Sequence, residues 1–340
     1  MRTVGTILFI ILTLFSVGVY CDNVPTTVDD LSYKNHLGIF VADPYVLRVG
    51  NKYYLYGTSV SSVGFKVWES TNLVNWEEKG FAFSKLEEGN EWGQGDFWAP
   101  EVIEYKNEFY MVYSARDSDG HLKIALAKSS SPLGPFKNIK APLFDDGLSN
   151  IDGDIFVDSD GVPYLFYVRD CSENIINGKH VSQIYVRRMS ENLLDFQGEP
   201  ILVAEPSQQW EGIGEEWQWN EGPFVMKENG IYYLLYSANY FASSDYGVGY
   251  ATADNPEGPW NKSEENPILS KNLSLGVSGP GHCSVIASPN KSELFIVYHT
   301  HAFPKAPSGI RVLNIDRIYF DKMGRLKVIG PTRTPQPLPK

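Results

Sequence analysis

One hairpin recurs five times along this chain, and that recurrence restricts the fold more than any other feature. In each copy an apolar strand leads into a tight turn and returns as a second strand dense in aromatic rings. The returning strands read "YYLY" from residue 53, "FYMVY" from 109, "YLFY" from 164, "YYLLY" from 232 and "LFIVY" from 294. Their spacing of roughly 55–70 residues marks a repeat architecture. The turns "VGNK", "YKNE", "DSDG", "KENG" and "SPNK" supply the Gly and Asn that tolerate the positive φ of a tight hairpin. In four copies a strand, a small-polar turn and an aromatic follow: "VWESTNLVNW" (67–76), "ALAKSSSPLGPF" (125–136), "VRRMSENLLDF" (186–196) and "GYATADNPEGPW" (249–260). "RVLNIDRIYFDKMGRL" (311–326) takes that place in the fifth. About four short antiparallel strands per unit, repeated radially, describe a propeller blade. The predicted fold is therefore all-β, a five-bladed β-propeller. A β-sandwich would leave the repeat unexplained.

The repeat begins near residue 36, and what precedes it reads differently. Arg2 and the apolar run "ILFIILTLFSVGV" (7–19) are followed by the polar stretch "CDNVPTTVDD". The run is short for a bilayer span of about 20 residues and fits a secretory leader. The expected organisation is a signal peptide over 1–21, a linker over 22–35 and one catalytic propeller over 36–340. The protein is expected to be secreted, extracellular or periplasmic, free of the membrane once the leader is removed, and monomeric. A net charge of −12 without a basic stripe argues against a nucleic-acid partner. Of three cysteines, Cys171 and Cys283 are expected as buried free thiols, a pairing between them being the alternative. The Pro-rich end "GPTRTPQPLPK" reads as an extended tail.

Asp43, Trp98, Asp152, Glu221 and His282 each stand about a dozen residues before their hairpin's returning aromatics. The first strand of a propeller blade lines the central channel, so these five residues should converge at one end of it. A propeller needs no ring of acids to fold. Like charges brought together raise one another's pKa, which makes the cluster a candidate functional site. Two carboxylates flanking a glycosidic bond, one protonated and one ionised, are the equipment for hydrolysing it. A third acid nearby can keep the donor protonated. Carbohydrate is thus the expected partner, with no organic cofactor.

The motifs "ADP" (42–44), "WAPE" (98–101), "IDGDIFVDSDG" (151–161), "NEGPF" (220–224) and "GPGHCSV" (279–285) resemble, in order, those of glycoside hydrolase family 43. That family comprises five-bladed propellers acting on arabinose- and xylose-containing plant polysaccharides. The resemblance implies Asp43 as general base, Glu221 as general acid and Asp152 as the residue that tunes the acid's pKa. Many members have Pro where this chain has Gly153, which puts subsite shape in question. The resemblance also implies that the anomeric centre is inverted, which calls for a base–acid separation of about 6.5–9.5 Å. His282 is similar to the axial residue that in many members helps hold a calcium ion or water cluster. Phe97, Trp98 and Arg311 are expected at the sugar.

Several rival assignments stay open on the sequence. Asp154 shares a strand face with Asp152 and is the alternative acid. Glu101 is either a fourth active-site acid or structural. The loop "QQWEGIGEEWQWNEG" with Glu211, Glu215 and Glu216 is a candidate subsite wall. His299 and His301 lack a third ligand for zinc. The activity expected is an exo-acting α-L-arabinofuranosidase. A β-xylosidase or endo-arabinanase with the same site, and a non-catalytic carbohydrate-binding propeller, are the alternatives. The retaining five-bladed fructan and sucrose hydrolases are set aside because their "NDPNG", "RDP" and "EC" motifs are missing.

Overall fold

The computed structural model describes residues 31–340; the expected leader over 1–21 lies outside them. Five antiparallel sheets of four strands follow one another along the chain. The first strands of the five are Ala42–Val49, Gly95–Tyr105, Asn150–Val157, Asn220–Glu228 and Gly281–Ala287. Each touches the first strand of the next sheet, and the fifth touches the first, so the ring closes. This is the five-bladed propeller predicted from the hairpin repeat, and the sheets are called blades one to five below.

The aromatic returning strands form the interfaces between blades. Five buried clusters exist, and each joins neighbouring blades. Phe65 and Phe83 meet Phe97 and Tyr113 between blades one and two, for example, and Leu55 meets Phe295 and Leu313 between blades one and five. Rings suit this role because they bury large area on a pleated surface. Several of their hydroxyls reach partners: Tyr53 donates to Ala287 O at 2.9 Å and Tyr233 to Gly324 O at 2.7 Å. The repeated tyrosines are thus mostly core.

Every first strand is bulged near its start. The pairing register shifts between Ala42 and Tyr45, Trp98 and Glu101, Ile151 and Asp154, Glu221 and Phe224, and Gly281 and Ser284. One residue in each bulge is left-handed: Asp43 (φ 51°), Ala99 (45°), Asp152 (53°), Gly222 (56°) and His282 (45°). That conformation costs an ordinary residue about 1–2 kcal/mol and is common in bulges, which re-aim side chains. The five residues grouped in the sequence are therefore not fully equivalent. Trp98 and Glu221 stand one place earlier in the bulge than Asp43, Asp152 and His282.

Of the segment expected as a linker, residues 31–35 are described and take part in the fold. Ser32–Tyr33 pairs antiparallel with Gln336–Pro337, so the Pro-rich tail folds back against blade five. Asn35 is buried there. Its amide donates to Ile315 O at 2.7 Å, and its Oδ1 accepts from Ile315 N at 3.0 Å. Cys171 and Cys283 are buried and unpaired. No helix among the described residues is long and apolar enough to cross a membrane. Asn35→Ala strands the Ile315 N–H, leaves Ile315 O with only the Tyr33 hydroxyl at 3.3 Å, and should lower stability by roughly 1–3 kcal/mol. The check is a reduced urea midpoint with an unchanged m-value.

Candidate active site

A cavity of about 910 Å³ opens at one end of the channel, lined among others by Asp43, Asp152, Glu221, His282, Trp98 and Arg311. The bulges bring these residues there. A second feature of the ring fixes them. The N–H of each left-handed bulge residue donates to a side chain of the preceding blade. Ala99 N–H reaches Thr58 Oγ1 (2.9 Å), Asp152 N–H reaches Ser114 Oγ (2.9 Å), His282 N–H reaches Ser237 Oγ (2.8 Å) and Asp43 N–H reaches His299 Nδ1 (3.1 Å). Thr58, Ser114, Ser237 and His299 occupy equivalent places on the second strands, opposite Ala42, Trp98, Glu221 and Gly281. In blade three that place belongs to Val168, which accepts nothing. The N–H of Gly222 turns instead to Asp152 Oδ2 at 3.0 Å.

Asp43 is buried, and burial alone would raise its carboxyl. Attraction from Arg311, whose Nη1 lies 2.9 Å from Oδ1, and from the imidazoles, with the Thr58 hydroxyl donating to Oδ2 at 2.6 Å, outweighs burial. Asp43 is therefore held well below the usual carboxylate range. His282 Nδ1 lies 3.4 Å from the same carboxylate. His299 Nδ1 accepts the Asp43 N–H, which fixes its tautomer as neutral with the proton on Nε2. Burial keeps that ring well below its ordinary pKa, so Arg311 is the permanent positive charge beside Asp43.

Glu221 is pulled the other way. Burial, then repulsion from Asp152, pushes it well above a normal glutamate against the lowering effect of Tyr246, whose hydroxyl donates to Oε1 at 2.8 Å. Asp152, raised chiefly by burial, titrates at about 6. Asp43 and Asp170 raise it further, while His282 and the Gly222 N–H pull it down. Two glycines make the close packing possible. A Cβ on Gly222 would stand 3.0 Å from the His282 ring, and one on Gly281 would stand 2.1 Å from Tyr246 Cε1. The site thus favours ionisation of one carboxyl and protonation of another, the pairing that acid–base chemistry requires.

Not every expected residue reaches the cavity. Phe97 is fully buried in the cluster between blades one and two and lines no part of it; its neighbour Trp98 does. Trp98 takes the pocket side because successive side chains alternate. Asp154 lies deeper, with Oδ2 accepting Val225 N–H at 2.8 Å, and Glu101 is buried beside it; neither lines the cavity. Gly153 faces the core, where a Cβ would stand 2.6 Å from Val112 Cγ2. Its departure from Pro therefore leaves the pocket untouched. Glu211 is internal, bonded to Lys262 Nζ at 2.5 Å and to the Tyr236 hydroxyl at 2.6 Å, while Glu215 and Glu216 are exposed. Ahead of Glu221 in that loop, Trp217 and Trp219 line the cavity. Thr58, Asp170, Tyr246 and Phe241 escaped the sequence reading; no motif or spacing marks them.

Among the described residues no three His, Cys, Asp or Glu side chains gather as metal ligands do. Calcium takes six to eight oxygens, and His282 presents an imidazole already facing Asp43. His301 is bonded to Ser278 Oγ (2.9 Å) and Phe241 O (2.8 Å), so it shares no ligand position with His299.

A family model described as Glycosyl hydrolases family 43 matches residues 36–326. The chain is 64% identical to a solved thermostable family-43 glycoside hydrolase, covering 91% of this chain and 99% of that one with a TM-score of 0.90. It is 32% identical to a structure described as an endo-1,4-β-xylanase from Bacteroides thetaiotaomicron, covering 90% and 99% with a TM-score of 0.76. It is 27% identical over 309 residues to a β-D-galactofuranosidase of Aspergillus niger, covering 86% of this chain and 83% of that relative.

Replacing Arg311 with Gln removes the permanent charge that opposes burial at Asp43. The Asp43 carboxyl should then titrate at a distinctly higher pH, its proton being lost only as pH rises through the new value. Carboxyl carbon NMR of the labelled protein, compared with the parent, reads that shift directly.

Proposed function

The chain belongs to glycosyl hydrolases family 43, and on that premise we propose that this glycosidase is an exo-acting α-L-arabinofuranosidase that inverts the anomeric centre. The observation that carries the mechanism is the opposite pull on two carboxyls of one cavity: Asp43 is held ionised beside Arg311, and Glu221 is held protonated beside Asp152. Glu221 donates its proton to the glycosidic oxygen as the bond from that oxygen to the anomeric carbon breaks. Asp43 takes a proton from a water whose oxygen forms the new bond to that carbon. Tyr246 occupies Glu221 Oε1, leaving the other oxygen for the transferred proton. Asp152, ionised above about pH 6, keeps Glu221 high. Ionisation of Glu221 therefore closes activity on the alkaline side.

Two considerations support a furanoside substrate. The Aspergillus niger relative is named for β-D-galactofuranose, whose ring shares its configuration with α-L-arabinofuranose and differs by one exocyclic carbon. Arg311 and Phe241, packed 4.9 Å apart, provide a charged edge and an apolar face at the Asp43 side of the cavity. The Bacteroides thetaiotaomicron likeness, described as an endo-1,4-β-xylanase, favours a second reading, action on β-linked xylose with the same residues. The apolar leader at 7–19 supports action outside the cytoplasm.

Side-by-side hydrolysis of aryl α-L-arabinofuranoside and aryl β-D-xyloside tests the substrate. The arabinofuranoside should be the faster by kcat/KM. Proton NMR of the fresh product should show the anomer opposite to the substrate; first release of the retained anomer would make Asp43 a nucleophile, not a base. Glu221→Gln should lose about 10²–10⁴ in rate on natural glycosides and less on aryl glycosides with good leaving groups, which need less protonation. Equal losses on both would remove Glu221 from the acid's role.

A further inference from the structure

The row of residues leading to Glu221 is built as a surface rather than as a loop. Trp217, Trp219 and Glu221 all line the cavity, while Gln218 and Asn220 between them are buried on the opposite side. This is strand alternation carried out to the rim. Trp217–Gln218 is one strand of a small three-stranded sheet that blade three extrudes with Ile175–Ile176 and Lys179–Val181. His180 pairs with Trp217 in that sheet, and its ring lies flat beneath the indole at 3.7 Å and 5°. His180 Nδ1 is fixed in turn at 2.8 Å from Cys171 O. The indole thus has one face covered and is ordered in advance, yet Trp217 remains 40% exposed. Trp219 follows at 6.3 Å in near-parallel orientation, and Tyr240 lies 5.5 Å from Trp219.

We propose that Trp217 and Trp219, with Tyr240 beside them, form a platform on the leaving-group side of the scissile bond that binds the further sugar units of a pentose oligosaccharide. This rests on Glu221 as the acid, because the acid marks the side from which the leaving group departs. Three features carry it. The platform runs into Glu221 along the same chain segment, so it starts at the acid, and through Tyr240 it continues to Phe241, whose ring centroid lies 4.7 Å away. The cavity, at about 910 Å³, is at the upper end of single-ligand pockets and exceeds what one pentose fills. Flat, pre-ordered aromatic faces match the apolar C–H face of a sugar ring whose hydroxyls lie at its edge, and a rigid ring loses little entropy on binding.

Calorimetric titration of the full-length Glu221→Gln protein, with and without Trp217→Ala, tests the platform. The probes are arabinose and linear α-1,5-arabinotriose, with xylose and xylotriose run in parallel to cover the xyloside reading. Trp217→Ala should weaken the trisaccharide on the order of tenfold, leave the monosaccharide unchanged, and be largely rescued by Trp217→Phe. An unchanged trisaccharide affinity overturns the platform. So does an equal loss for mono- and trisaccharide, which would make Trp217 a support of the sugar pocket itself. Consumption of the trisaccharide by the Glu221→Gln protein at the parent's rate would overturn the acid assignment, and with it the side of the bond given to these rings.

Discussion

The hydrogen bond from a left-handed bulge N–H to the side chain of the preceding blade is the interaction on which the site depends. It is made at the one place where regular pairing is lost, so it satisfies a backbone donor that the bulge would otherwise strand in a buried channel. It also locks the rotation of one blade against the next. Four blades use Thr58, Ser114, Ser237 and His299 for this purpose. Blade three has Val168 in that place, and Asp152 supplies the acceptor. The carboxyl that raises Glu221 is therefore also a member of the ring, which ties its position to the assembly of the fold.

From that frame the electrostatics follow. Asp43, Asp152 and Glu221 are all buried, and burial alone would protonate all three. What separates them is the partner each receives. Asp43 has a guanidinium and a hydroxyl donor. Asp152 has one backbone N–H and the competing field of His282 and Asp43. Glu221 has a tyrosine hydroxyl set against burial and three carboxylates, Asp152, Asp170 and Asp43. The asymmetry comes from residues on blades four and five, Tyr246 and Arg311, that no hairpin motif contains. A second buried pair, Glu101 and Asp154, is raised in the same way with no access to the cavity. Perturbed acids therefore do not mark a site here unless they also face open space.

The repeat made the architecture and the three carboxylates legible, but the bulge hid their register. Counting from the aromatics grouped Glu221 with Asp43, whereas the structure places it one residue earlier, opposite Ser237. Phe97, expected at the sugar, is sent into the core by strand alternation, which turns Trp98 outward. The linker and tail looked featureless because their order comes from contacts across nearly the whole length of the chain, such as Asn35 to Ile315. Asp170 and Tyr246 carried no local sign at all.

By itself the sequence determined the all-β repeat, the number of blades, and the presence of three acids at the heads of blade strands. Period, turn chemistry and hydrophobic patterning are local properties, and they survive in a linear string. Only the tertiary structure decided which acid is ionised, which is protonated and which aromatics meet open space. Those outcomes depend on distances between blades. A carboxyl's charge state is set by the sum of burial and a few partners within several ångströms, drawn from segments as far apart as residues 43 and 311.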